Sequence, residues 1–144
     1  MTESEGLTIT RTFAAPRELV FDAWVNPAHF AAWWGGKTVE VPADTVEMDV
    51  RPGGSWKATM LLPGDDRHRI DWIGEYVEVD PPSRLVATIS DGSPERELLT
   101  VDLTEVDGGT QMVFHQGGGH LTPEQYEQTA EGYRQFFDAM AELF

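Results

Sequence analysis

The side chains best suited to proton transfer near neutral pH are four histidines, His29, His68, His115 and His120. His115 and His120 bracket Gln116-Gly117-Gly118-Gly119. A separation of five across a glycine run matches no helical ligand pair, and a metal would need a carboxylate from elsewhere, so no metal site is expected. No serine or aspartate is spaced to complete a triad with His115, which reads as a surface or rim residue and a possible polar contact for a ligand. Gly117-Gly118-Gly119 lacks the lysine and hydroxyl residue of a phosphate loop and reads as a flexible connection to the last element. Glu75 and Glu78, three apart on a predicted strand, should point to opposite faces, which rules out a paired acid–base role. One of them would then face inward, and Ile70-Asp-Trp-Ile73 supports either register. Arg51, Arg67, Arg69 and Arg84 are scattered among turns, where one or two would suffice to anchor a ligand carboxylate. No residue is assigned as catalytic.

Binding chemistry has more to work with. Five tryptophans, Trp24, Trp33, Trp34, Trp56 and Trp72, are joined by Met60, Met112 and Phe114 and by Tyr133, Phe136, Phe137 and Met140. Such a set fills a core or lines an apolar pocket with a few polar groups, the usual form of a small-molecule site. Indole N–H and phenol O–H groups need partners when buried, which is easier around a cavity than in a solid core. Tyr133 and His115 are the candidate polar contacts.

Composition bounds what surrounds these residues. The chain has 144 residues, 40% hydrophobic and 24% charged, with a formal charge of −15 and no cysteine. Disulfides, thiol chemistry and cysteine-ligated zinc are excluded. No apolar run approaches the ~20 residues of a membrane-spanning helix, and MTESEGLTIT lacks the basic start and apolar stretch of a secretion signal. The net charge argues against nucleic acid and anionic membranes. A cytoplasmic protein is expected, with one domain over residues 7–144 after a flexible N-terminus over 1–6.

The elements that must position these side chains follow from periodicity. Leu7 to Phe13 alternates like a half-buried strand. Pro16 opens a helix carrying Leu19, Val20, Ala23 and Trp24 at spacings of three and four, and Asn26-Pro27 breaks it. A second short helix with Phe30, Trp33 and Trp34 stops at Gly35-Gly36. A long strand is expected over Val39 to Val50, bent at Pro42-Ala43-Asp44. Further strands follow from Trp56 to Leu62 and from Ile70 to Val79, separated by Pro63-Gly-Asp-Asp66. Arg84 to Ser90, Leu98 to Val106 and Thr110 to Gln116 complete the set, with Asp107-Gly-Gly109 as a hairpin turn. Short connections imply an antiparallel meander. Thr122-Pro123-Glu124-Gln125 carries the signals of a capped helix start. Tyr126, Ala130, Tyr133, Phe137, Met140 and Phe144 then make one apolar stripe, opposite a face that is mostly Glu and Asp. Five acids minus Arg134 place −4 of the charge on residues 121–144, a solvated shell that suggests a neutral or only locally charged ligand. Gly132 interrupts this helix at a cost of ~1 kcal/mol, which close approach of a strand or a ligand would offset.

In order along the chain stand Arg11-x-Phe13-x-Ala15-Pro16-x-Glu18-x-Val20-Phe21-x-Ala23-Trp24, Pro27 and Trp33-Trp34-Gly35. Asp49-x-Arg51-x-Gly53-Gly54-x-Trp56, Gly74-x-Tyr76-x-Glu78-Val79-x-Pro81-Pro82-x-Arg84-Leu85-Val86 and Gly109-Thr110 follow. This ordered set resembles the homologues of the activator of heat-shock-protein-90 ATPase, within the START-like or SRPBCC superfamily, and spans Leu7 to Phe144. The resemblance implies an α+β helix-grip fold: about six to seven antiparallel strands curved around a long C-terminal helix, with two short helices after the first strand. It also implies a cavity between sheet and helix, where superfamily members hold apolar molecules and a minority catalyse cyclisation or dehydration. The co-chaperone itself carries an additional N-terminal domain that this chain does not include. The family often has Gly-Trp in the last helix where this chain has Gly132-Tyr133, adding a hydroxyl within reach of a ligand or a buried water.

The leading expectation is a non-enzymatic module that binds an apolar or amphipathic small molecule without a cofactor, as monomer or homodimer. A polyketide cyclase- or dehydratase-like enzyme and a chaperone-interacting module are the alternatives.

Overall fold

A computed structural model describes residues 6–37, 39–62, 69–119 and 121–144. The Pro63–Asp66 turn, Arg67, His68, His120 and all of the expected flexible N-terminus except Gly6 lie outside the described residues. The first strand, β1 (Leu7–Phe13), buries Leu7, Ile9 and Phe13 in strict alternation. Pro16 caps α1 (Arg17–Val25), and the Asn26 side chain accepts the Ala28 and His29 backbone N–H groups to start α2 (Pro27–Trp33). The buried stripe of α1 is Val20, Phe21, Ala23 and Trp24, whereas Leu19 is exposed and does not belong to it.

The long strand expected over Val39 to Val50 does not form. Glu40 makes an isolated bridge to Leu61, and Pro42 caps a 3-10 turn at Ala43–Thr45, closed by Thr45 Oγ1 donating to the Pro42 carbonyl at 2.7 Å. Only β2 (Glu47–Met48) pairs as strand. The remaining strands are β3 (Ser55–Leu61), β4 (Arg69–Asp80), β5 (Arg84–Ile89), β6 (Glu97–Val106) and β7 (Gly109–Gly117). They form one seven-stranded sheet in the order β1-β7-β6-β5-β4-β3-β2, with every pairing antiparallel.

The sheet is irregular between β4 and β5. A bulge between Tyr76 and Glu78 shifts the register, and ahead of it the Glu75 N–H bonds to Thr88 Oγ1 instead of a carbonyl. The Thr88 carbonyl accepts the Trp56 indole N–H at 2.9 Å. This bulge also resets the inward–outward alternation. Glu75 and Glu78 are consequently both exposed, Glu78 bonded to Arg84 at 3.2 Å, and neither faces the interior as the simple alternation required.

The last helix, α3 (Pro123–Ala141), starts with the expected capping box between Thr122 and Gln125. Tyr126, Ala130, Tyr133, Phe137 and Met140 bury its apolar stripe, and Phe144 packs edge-on against Phe13 with ring centroids 5.6 Å apart. Its outer face holds Asp138 against Arg11 at 2.6 Å, Glu142 against Lys37, and Glu131 against Arg134 at 3.2 Å. The architecture is the α+β helix grip: a curved sheet closed over α3, with α1 and α2 plugging one end. Among the described residues, no helix is long and apolar enough to cross a membrane.

Candidate functional site

The interior between sheet and α3 has two ends. At the end plugged by α1 and α2, Trp24 and Trp33 meet edge-to-face at 4.7 Å, and Trp24 stacks on Phe114 at 5.8 Å. Phe30 stacks on Trp34 at 4.9 Å, and Phe137 lies edge-on to Phe114 at 5.3 Å. The Trp33 indole N–H donates to the Ala23 carbonyl at 2.8 Å, tying α2 to α1. What stays open here is a void of about 20 Å³ beside Trp24, Phe30 and Trp56, roughly enough for one water molecule. Met140, at 0% exposure, belongs to the same packed mass.

At the other end a cavity of about 380 Å³ lies between α3, the inner residues of β3 and β4, and the segment joining β5 to β6. Trp34, Trp72, Tyr133 and Phe136 supply its aromatic walls, with Met60 beside them. Trp34 meets Trp72 at 90°, Tyr133 at 66° and Phe136 at 57°, so the rings form a corner and leave space within it. Gly132 is on the wall as well, and a Cβ built there meets nothing within 4 Å. Among the described residues no strand approaches Gly132, and the missing side chain leaves cavity volume.

A polar chain closes the inner end. The Tyr133 hydroxyl donates to Gln116 Oε1 at 2.7 Å. Gln116 Nε2 donates to Glu97 Oε1, and the Tyr126 hydroxyl donates to Glu97 Oε2 at 2.6 Å. Glu97 is 8% exposed and Gln116 6%. Burial, and then the charge of Glu97, push the Tyr133 phenol far above its ordinary range, so it stays protonated and donates. The extra hydroxyl of Tyr133 thus donates to a protein side chain. Gly119 lies against Glu97: a Cβ at that position would overlap Oε2, so the close approach there requires glycine.

His115 does not line this cavity. It is exposed on β7, between inward Phe114 and inward Gln116, with Nδ1 2.9 Å from Thr8 Oγ1. His29 is also exposed and pairs with Asp22 at 2.6 Å. Among the described residues no group of three or more His, Asp or Glu side chains converges as metal ligands would. Of the residues expected to line a pocket, Trp34, Met60, Trp72, Tyr133 and Phe136 meet at the cavity, while Trp24, Trp33, Phe114, Phe137 and Met140 pack the closed end. Trp56 borders the small void and the outer groove described next. Among the described residues, the buried indole N–H groups of Trp24, Trp34 and Trp72 meet no acceptor.

Glu97 and Gln116 were not among the expected site residues. Their signal is strand phase: Gln116 continues the inward series Met112, Phe114, and Glu97 opens the series Leu99, Val101, Leu103. Starting the strand at Leu98 placed Glu97 just outside it. A second concavity of about 410 Å³ lies where the outward residues Lys57, Ile73 and Glu75 meet the β5–β6 connection. Its walls are exposed and mostly polar, and it lacks the aromatic corner.

The fold agrees with the relationships of the sequence. The crystal structure of protein CV1439 from Chromobacterium violaceum superposes with a TM-score of 0.88 at 23% identity, covering 97% of each chain. The AHSA1 protein from Silicibacter pomeroyi gives 0.80 at 22% identity over 95% of each chain. The solution structure of an AHSA1-like protein from Aeromonas hydrophila gives 0.74 at 23% identity, over 94% of this chain and 90% of the other. No curated protein matches this sequence. The family described as "Activator of Hsp90 ATPase homolog 1-like protein" matches residues 14–144, and the chain belongs to that family.

Proposed function

We propose that this protein binds an apolar or amphipathic small molecule in the cavity between α3 and the open end of the sheet. The observation that carries this reading is the combination of about 380 Å³ of space with an aromatic corner and a buried polar terminus. That volume lies in the range of small-molecule pockets, which pair apolar walls with a few oriented polar groups. Binding without catalysis fits the polar groups best. Both Glu97 oxygens already accept hydrogen bonds, and Tyr133 is committed to Gln116 and held protonated. An enzyme of the cyclase kind would need one of these groups to leave its partner.

The direct test is titration with the neutral apolar fluorophore N-phenyl-1-naphthylamine. One molecule should bind per chain, quench tryptophan fluorescence and raise the melting temperature; saturation at 100 times Kd adds about 2.7 kcal/mol of stability. No binding by this probe or by a panel of fatty acids, sterols and polyketides would count against the reading.

Contact with a chaperone is the reading the family description suggests. Its supporting observation is the pair of exposed apolar residues Ile73 and Val77, four positions apart on β4, at 45% and 54% exposure. Co-purification lost on Ile73→Ser with Val77→Ser would favour it.

A further inference from the structure

We propose that the cavity selects an organic cation: a ligand with an apolar body and a protonated amine, the amine seated by Glu97 and the aromatic corner. This rests on the small-molecule reading above and narrows its chemistry.

The first argument is charge. Glu97 is 8% exposed, and its hydrogen-bond partners, Gln116 and Tyr126, are both neutral. No lysine or arginine of the described residues forms an ion pair with it. A carboxylate has about four acceptor positions, and these two bonds occupy one on each oxygen. A buried carboxylate that only neutral donors satisfy is stabilised further by an opposite charge brought within a few ångströms, more strongly than the same pair in water.

The second argument is the walls. Trp34, Trp72, Tyr133 and Phe136 line the same cavity at steep mutual angles. Aromatic faces carry negative quadrupole potential and attract ammonium groups, tryptophan most strongly, and cages of such rings hold amine ligands in water. An anion would meet those faces and Glu97 unfavourably. Among the described lining residues the charged groups are Asp91, Glu95, Glu97 and Arg96. Arg96 is exposed at the rim and forms no ion pair among the described residues, and it would favour an anionic ligand.

A matched series separates these forces: 1-naphthylmethylamine, 1-naphthylmethanol and 1-naphthoate share one ring system and differ in charge. Calorimetric titration of the full chain near pH 7.5 should show the amine binding at least tenfold more tightly than the alcohol, with naphthoate weakest. Glu97→Gln should erase most of the amine's advantage and change alcohol binding less than threefold. Trp72→Leu, which keeps an apolar wall and removes the π face, should weaken the amine more than the alcohol; it serves if the Glu97 variant does not fold. Arg96→Gln should leave the order unchanged. The net charge of −15 would attract any amine diffusely, so the preference must also survive 0.5 M salt, where surface charges are screened within about 4 Å. Equal binding of all three, tighter naphthoate, or an amine preference that salt abolishes would overturn the cation assignment while leaving the cavity reading in place. Failure of all three to bind at millimolar concentration would overturn both.

Discussion

The two ends of the interior share one helix and one sheet yet are built to different densities. At the closed end, α1 and α2 deliver Trp24, Phe30 and Trp33 onto Phe114 and Phe137, and about 20 Å³ is left over. At the open end α1 and α2 line the cavity only through Trp34, the residue just past α2. The β5–β6 connection covers α3 from outside, Gly132 withholds a side chain, and about 380 Å³ stays free. Packing at native density is what the hydrophobic effect favours everywhere, so the difference reflects which elements reach each end. One end is filled by side chains and the other keeps open volume.

Mutations that treat the two ends alike should expose this asymmetry. Trp33→Ala removes a side chain with 0% exposure and a hydrogen bond to Ala23, and should cost about 3–5 kcal/mol in chemical denaturation. The same truncation at Trp72, half-buried and without a partner for its N–H, should cost about 1–2 kcal/mol. Equal losses would erase the distinction. Between them falls the polar terminus: Glu97→Ala strands the Gln116 and Tyr126 donors and should cost about 1–3 kcal/mol.

Alkali probes both ends at once. Burial raises the phenol pKa of Tyr133 and of Tyr76, helped by Glu97 for the first and Asp49 for the second. A raised folded-state pKa contributes stability that is complete below the unfolded value and falls as pH rises above it. Stability should therefore decline from about pH 10, where unfolded phenols ionise. Ultraviolet titration should show both phenols silent until unfolding, and early ionisation of Tyr133 would mean that water reaches the polar terminus. The smallest effect is a gain. Gly132→Ala adds helix propensity in open space and should stabilise by up to about 1 kcal/mol while narrowing the cavity. A loss there would show that the space is not open.

Most of the architecture was legible because period and punctuation agreed: the Thr122 box, the α3 stripe and the alternation of β1, β3 and β7 are each set by local residues. The segment from Val39 to Val50 was not, since its valines read as a strand while Pro42 and Thr45 close a turn across them. Glu75 and Glu78 failed for a different reason, a bulge with no signature of its own in that stretch. Around the cavity, aromatic identity alone did not tell wall from core. That division depends on where α1 and α2 dock, a long-range outcome that spacing does not encode. Glu97 and Gln116 were hidden by their chemistry, because polar residues at inward strand positions look like errors of register until a partner such as Tyr133 is known.

The indole N–H resonances of a nitrogen-labelled sample report on both ends in one spectrum. On addition of 1-naphthylmethylamine, the Trp72 signal should shift strongly and that of Trp34 with it, while Trp33, bonded to Ala23 in the closed end, should stay in place. Shifts at Trp33 with none at Trp72, or no indole shift at saturation, would contradict a binding site at the open end.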